Sequence, residues 1–390
     1  MRICRTRKDS TINATVVGGL GALIALAVFA LTCADPTPSP GNGAAAGSGG
    51  SGPPPPVFLS EDASVGADTD AGAVADAGPA ADAGVGADAG SVADAGAGAD
   101  AGTGADAGAA IDAGTDVVRF VAMGDTGKGD ASQAAVAAAV AAKCALSGCD
   151  FVLLLGDNIY PSGCSSVTDP QFQTKFEQPY AAINLPFYVA LGNHDYGGDG
   201  AGYEFWKGQV EIDYTARSTK WKMPAEYYRF TRGSTEFFAL DTNSLLFGRL
   251  SQQKTDISAW IPASMATWKI AYGHHPYLSN GPHGNAGRYD RIPLMGQSIK
   301  DFMDNRVCGR ADVYLSGHDH SRQWIKATCN GTELVVSGAG ATTTSLPGSN
   351  TTRFQSSTPG FLYIRVDGRT LTAEFVDKDG RVDFTRTLTK

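Results

Sequence analysis

The segment Leu154–Tyr160, LLGDNIY, ends an apolar run with an acid and sets a tyrosine three residues later. A carboxylate (Asp157) and a phenol (Tyr160) aimed at one point suit a hard, highly charged cation. Four more segments repeat the arrangement of a short apolar run, a glycine and a metal-type side chain. VVRFVAMGDTG supplies Asp125, PFYVALGNHDY supplies Asn193 and His194, KIAYGHHP supplies His274 and His275, and DVYLSGHDH supplies His318 and His320. Each motif alone has a bland reading, since a lone Gly-Asp is usually a turn or a helix cap. Together they do not, because all six histidines of the chain (the sixth is His283) lie in or just after these segments.

Asp125, Asp157, Tyr160, Asn193, His274, His318 and His320 are seven candidate donors, too many for one tetrahedral zinc. They suit two metals that share a bridging carboxylate and keep positions open for water and substrate. Two cations roughly 3.5–4 Å apart form the usual clamp for in-line displacement at phosphorus. One turns water into hydroxide near neutral pH, and both stabilise charge developing on phosphoryl oxygens.

Positioning these side chains is the task of the apolar runs. Four to seven residues rich in Val, Phe and Leu and bounded by Gly read as buried strands. Helices are expected between them at Ser132–Lys143 and at about Leu294–Asn305. Strands alternating with helices indicate a substantially parallel sheet, with ligand sites beyond the strand carboxyl ends. The glycine before each ligand lets five loops converge on one edge. The Gly-rich stretch Ser337–Ser349 lacks the Gly-Lys-Ser/Thr ending of a phosphate-binding P-loop. It reads as a mobile loop bordering the site mouth.

Two regions precede this domain. Residues 1–33 carry Arg2, Arg5, Arg7 and Lys8, then an apolar run from Ala14 to Leu31 and Cys33. This is the pattern of an export signal, long enough to serve instead as an uncleaved anchor. Cys33 in FALTCAD could be acylated as in a lipoprotein, although Thr32 departs from the smaller residue usual before such a cysteine. Residues 34–118 contain no Lys or Arg and repeat a six-residue unit ending Asp-Ala-Gly, with acids from Asp70 to Asp112. With almost no large apolar side chains, this tract reads as a disordered, self-repelling acidic tether. It lacks the nonapeptide of calcium-binding repeats.

Residues 119–390 hold 27 Lys+Arg and 26 Asp+Glu, so the net charge of −9 belongs to the tether. A nearly neutral domain weighs against a general nucleic-acid binder, which should show a basic excess. Its length suits one well-cored domain. In an exported protein its five cysteines are expected to form disulfides. Cys308–Cys329 and Cys144–Cys149 are the expected pairs, leaving Cys164 odd, although sequence alone does not determine pairing.

In order and type, the motifs resemble the calcineurin-like metallophosphoesterases, and the tyrosine of GDNIY resembles the purple acid phosphatases, which include tartrate-resistant acid phosphatase. The spacers YPSGCSSVTDPQF, KWKMPAEYYRF and FFALDTNS are similar to that family as well, and the length matches its small single-domain form. The resemblance implies an α/β fold with two mixed sheets packed face to face and flanked by helices. It implies that Asp125, Tyr160 and His320 bind a ferric ion. Asn193, His274 and His318 would bind a second metal (Fe2+, Zn2+ or Mn2+), with Asp157 bridging. His194 and His283 match substrate-side histidines that hydrogen-bond phosphate or protonate the leaving alcohol. Asp195 and Asp319 would point away or support histidines, Asp241 would be structural, and His275 a pocket-wall group.

The expected function is hydrolysis of small phosphate monoesters by a metal-bound hydroxide, at the cell envelope or outside it, with membrane contact only through the N-terminal anchor. Two rivals share the sequence: a phosphodiesterase using the same metals, and a surface binding module with a vestigial site. Seven intact donors argue against the second. Oligomeric state is left open.

Overall fold

In the computed structural model, residues 117–249 and 251–390 are described; the export signal, Cys33 and the acidic tether lie outside them. Fourteen strands build two mixed seven-stranded sheets. The first has the order β14-β13-β12-β1-β2-β3-β4, from β1 (Val117–Met123), β2 (Phe151–Leu155), β3 (Phe187–Ala190), β4 (Trp221–Lys222), β12 (Gly360–Asp367), β13 (Thr370–Asp377) and β14 (Val382–Thr389). The second has the order β11-β9-β10-β8-β7-β6-β5. It uses β5 (Tyr228–Arg232), β6 (Thr235–Ala239), β7 (Trp268–Tyr272), β8 (Val313–Ser316), β9 (Arg322–Ile325), β10 (Glu333–Ser337) and β11 (Thr352–Ser356). This is the architecture expected from the family resemblance. The domain's first strand begins at Val117, two residues before the expected boundary, because Val117 and Val118 pair with Asp367 and Val366.

Within each sheet the strands that end in candidate ligands run parallel: β1, β2 and β3 in the first, β7 and β8 in the second. Their carboxyl ends therefore point the same way. The parallel strands read as continuous apolar runs because both faces are covered. Phe120 of β1 stacks on Phe151 of β2 with centroids 5.2 Å apart, and both meet Phe237 of β6 edge-on at 5.2 Å. That aromatic cluster joins the sheets. At 1.5–3 kcal/mol for each large apolar side chain fully buried, such contacts fix the spacing of the two sheet edges.

Helix α1 (Ala131–Ser147) is Ala-rich and starts at Asp130, whose carboxylate accepts the backbone N–H of Gln133. It ends at Gly148 with φ 77°, the left-handed stop that glycine tolerates. Helices α2 (Trp206–Tyr214), α3 (Thr242–Leu246), α4 (Ser251–Ala263) and α5 (Gln297–Phe302) complete the cover. The helix expected from Leu294 starts three residues later, because Leu294 itself is left-handed at φ 69° and Gly296 caps the turn. Disulfides join Cys144 to Cys149 and Cys308 to Cys329, and Cys164 is free and buried, as expected. No helix among the described residues is long and apolar enough to cross a membrane.

Candidate metal centre

Five strand ends deliver the candidate ligands. Asp125 follows β1, Asp157 follows β2, Asn193 and His194 follow β3, His274 and His275 follow β7, and His318 and His320 follow β8. Asp125, Asp157 and His318 all take positive φ (59°, 54° and 67°), a conformation costly for residues with a Cβ. The turns hold because the neighbouring loops leave no alternative. A Cβ on Gly192 would sit 2.2 Å from Asp157 Oδ1, and one on Gly317 would sit 2.6 Å from Asp125 Oδ2. Those glycines are needed for close approach.

Two groups of donors result. In the first, the phenol oxygen of Tyr160 lies 3.1 Å from Asp125 Oδ1, 3.0 Å from Asp157 Oδ2 and 3.0 Å from His320 Nε2. In the second, His274 Nε2 lies 2.9 Å from Asn193 Oδ1, 3.1 Å from His318 Nδ1 and 3.3 Å from Asp157 Oδ2. Asp157 touches both groups. All seven expected donors are thus brought together, and Asp157 stands between the two sets.

Hydrogen bonding tests whether a cation fits. His274 Nδ1 lies 3.0 Å from the Leu155 carbonyl and must donate to it, so Nε2 of the neutral ring is a bare lone pair. That lone pair faces an amide oxygen and a carboxylate, which are also acceptors. Only a cation or an added proton reconciles them. Burial works against charge on His274, but the Asp157 carboxylate outweighs it and the pKa rises to about 9. Burial likewise opposes the charge on Asp157, yet His274 and His194 hold its carboxyl well below the usual range. Burial, then Asp157 and Asp125, push the Tyr160 phenol well above its ordinary value. Hard oxygens plus imidazoles, buried and converging, fit metal ions on both sides of Asp157.

Supporting groups pin the loops. Oδ1 of Asp195 accepts the N–H groups of Asn158 (2.7 Å) and Ile159 (3.0 Å), and Oδ2 accepts Gly192 N–H (2.8 Å) and Asn158 Nδ2 (2.8 Å). One buried carboxylate therefore ties the Asp157 loop to the Asn193 loop. Asp319 accepts the backbone N–H groups of His283 (2.9 Å) and Gly284 (3.2 Å). Asp241 caps α3 and accepts the Tyr196 hydroxyl at 2.6 Å, a structural role as expected. Its neighbour Thr242 was not singled out by sequence reasoning. Thr242 Oγ1 accepts the N–H groups of His274 (3.2 Å) and His275 (3.0 Å) and lies 2.9 Å from His275 Nδ1. The available signal was its place just after β6, which pairs parallel to β7. His275 is buried beside the donors, and burial and then His274 hold its pKa well below normal.

His194 and His283 flank the donors. The His194 ring lies 4.3 Å from the Tyr160 ring, and its Nδ1 is 2.6 Å from the Pro161 carbonyl. The His283 ring stacks on His318 at 4.1 Å, and its Nδ1 is 2.7 Å from Asp290 Oδ1. Burial opposes the charge on His283, but the Asp290 contact and then Asp319 raise its pKa. Both rings have Nδ1 engaged, and among the described residues neither Nε2 makes a hydrogen bond. The Lys128 ammonium sits 3.8 Å from the Tyr160 ring centre, where it favours negative charge on the phenol.

The chain matches the calcineurin-like phosphoesterase family over residues 118–322. It belongs to that family. Tartrate-resistant acid phosphatase type 5 of Oryctolagus cuniculus is 30% identical over 319 residues, covering 71% of this chain and 92% of that relative. The Homo sapiens enzyme of the same name is 29% identical over 310 residues, covering 68% and 89%. A purple acid phosphatase from yellow lupin (Lupinus luteus) seeds has a similar fold, with a TM-score of 0.55 at 20% identity over 70% of this chain and 54% of that one. This phosphoesterase is accordingly a metal-dependent phosphatase of the purple acid type, and that membership implies a binuclear centre.

Proposed function

We propose that this phosphatase is an exported monoesterase of small phosphate esters with a mixed centre of Fe3+ and a divalent ion (Fe2+, Zn2+ or Mn2+). The observation that carries the metal reading is the Tyr160 phenol oxygen between the Asp125 and Asp157 carboxylates, with His320 closing the set. Three hard anionic oxygens favour a trivalent ion. Asp125, Tyr160 and His320 would hold Fe3+, Asn193, His274 and His318 the divalent ion, and Asp157 both. When bound, the pair supplies Lewis acidity that activates water and neutralises charge on the phosphoryl group.

The chain's own residues supply the rest. Asp290 accepts the Nδ1–H of His283 and favours the imidazolium, whose second proton sits on Nε2 for the departing alkoxide. The Pro161 carbonyl fixes the His194 ring through Nδ1–H, so Nε2 can hydrogen-bond a phosphoryl oxygen only when it too carries a proton, as in the imidazolium. Asp195 and Thr242 keep the ligand loops in register, so that donors are preorganised rather than assembled on binding. The near-neutral domain fits small esters rather than nucleic acid. The N-terminal basic-apolar leader and acidic tract support export, tethered or lipid-anchored at the cell envelope.

Turnover of 4-nitrophenyl phosphate against bis(4-nitrophenyl) phosphate tests the reading. Monoester kcat/KM at least tenfold higher is expected. A diester preference would make the protein a phosphodiesterase on the same metals. Full metal occupancy with neither activity would favour the binding-module rival.

A further inference from the structure

Beside His283, away from the seven donors, a recess of about 180 Å³ opens between two loops. Arg288 and Arg291 line one wall, and Ser349 at the end of the Gly-rich loop and Asn350 just after it line the other. Water occupies about 30 Å³ in the liquid, so the recess has room for a phosphate-sized group. His283 belongs to this recess and also stacks on His318 at 4.1 Å. One imidazole therefore separates the recess from the donors.

Two cationic side chains line the recess. Both arginines are exposed, and among the described residues neither guanidinium makes a hydrogen bond or an ion pair. The nearby acids bond elsewhere than the guanidinium groups: Asp290 to His283 Nδ1 at 2.7 Å, and buried Asp319 to the N–H groups of His283 and Gly284. The backbone here is unusual too. Asp290 and Arg291 are successive left-handed residues at φ 54° and 63°, where a chain under no other demand uses glycine. Strain retained with these side chains is a mark of a functional segment. The turn directs Asp290 onto His283 while Arg291 lines the recess.

Resting on the monoesterase reading above, we propose that this recess binds a second phosphate group on the alcohol half of the substrate. The preferred substrates are then small molecules carrying two phosphates, one cleaved at the donors while the other is held by Arg288 and Arg291. Guanidinium forks match phosphate bidentately, and two of them answer a dianion.

The test uses butane-1,4-diol monophosphate and bisphosphate with the metal-loaded full chain. Two equivalent esters alone would give the bisphosphate a twofold advantage in kcat/KM. The expected ratio is about tenfold or more, from charge-assisted contacts of ordinary strength. It falls towards two in an Arg288→Ala/Arg291→Ala variant and contracts as salt is raised. The salt series on the unmutated protein needs no variant to fold. A ratio of two or below, or one insensitive to both salt and the double substitution, overturns the proposal. So does a recess that takes a separate ion, seen as two-site inhibition by inorganic phosphate with a ratio of two. Hydrolysis of the monophosphate with a ratio of two leaves the monoesterase reading standing. No hydrolysis of any monoester removes both.

Discussion

Tyr160 and Asp157 meet with 3.0 Å between phenol and carboxylate oxygens, three residues apart in the chain and buried. Asp125 approaches the same phenol at 3.1 Å from the end of another strand. Burying two carboxylates around one phenol is costly unless positive charge is supplied. The arrangement is a cation site built before the cation arrives.

Metal uptake should release protons. In metal-free protein His274, with its pKa raised to about 9, and Tyr160, with its phenol raised well above normal, are both protonated at pH 7. Ligation requires both to lose those protons. About two protons per binuclear centre are expected, measured by calorimetry in buffers of different ionisation enthalpy. Metal affinity should fall as pH drops, and more steeply below about 9, where His274 as well as Tyr160 must lose a proton. Uptake without proton release would mean that neither group is a ligand.

Asp195 should matter to stability as much as to catalysis. Replacing it with alanine strands the N–H groups of Asn158, Ile159 and Gly192 in a buried setting. A loss of about 3 kcal/mol or more is expected in urea unfolding, given 1–3 kcal/mol for each buried group left unpaired. An unchanged midpoint would show that the clamp is redundant.

Thr242→Val keeps the shape and removes the acceptor for His274 and His275 N–H. Outer groups that orient ligands typically cost 10–100-fold in metal affinity or activity. A loss in that range is expected, with Thr242→Ser recovering most of it. Equal loss in both variants would point to packing of the threonine methyl group instead.

The Cys308–Cys329 bridge closes a loop with a separation of 21 residues, and Cys144–Cys149 one of 5. Loop entropy gives about 3 kcal/mol for the longer and about 2 for the shorter. Serine substitution at Cys308 should therefore lower Tm by roughly 6–12 °C. Cys164 is buried, and burial, then Glu211, push its thiol far up. Mass mapping should find Cys164 unalkylated in native protein and modified only in denaturant.

The convergence of the seven candidate donors was legible because each follows a buried parallel strand and a glycine, a pattern confined to short stretches of sequence. The two-sheet architecture was legible through the family resemblance; strand pattern alone suggested only a substantially parallel sheet. What stayed hidden depends on contacts distant in sequence. Asp195 lies 37 residues from Asn158, and its role needs two loops to meet. Thr242 lies 32 residues from His274 and looks like an ordinary residue of a helix start. The helix expected at Leu294 starts late because Leu294 is left-handed and Gly296 turns the chain just before Gln297, a local conformation that helix propensity does not register.

The most direct test is the visible absorption spectrum of the purified protein, as isolated and after mild oxidation, beside Tyr160→Phe. A purple or pink band from tyrosinate-to-iron charge transfer is expected, lost in the variant while iron stays bound. A colourless protein that binds two equivalents of zinc or manganese and hydrolyses phosphate monoesters would contradict the ferric assignment.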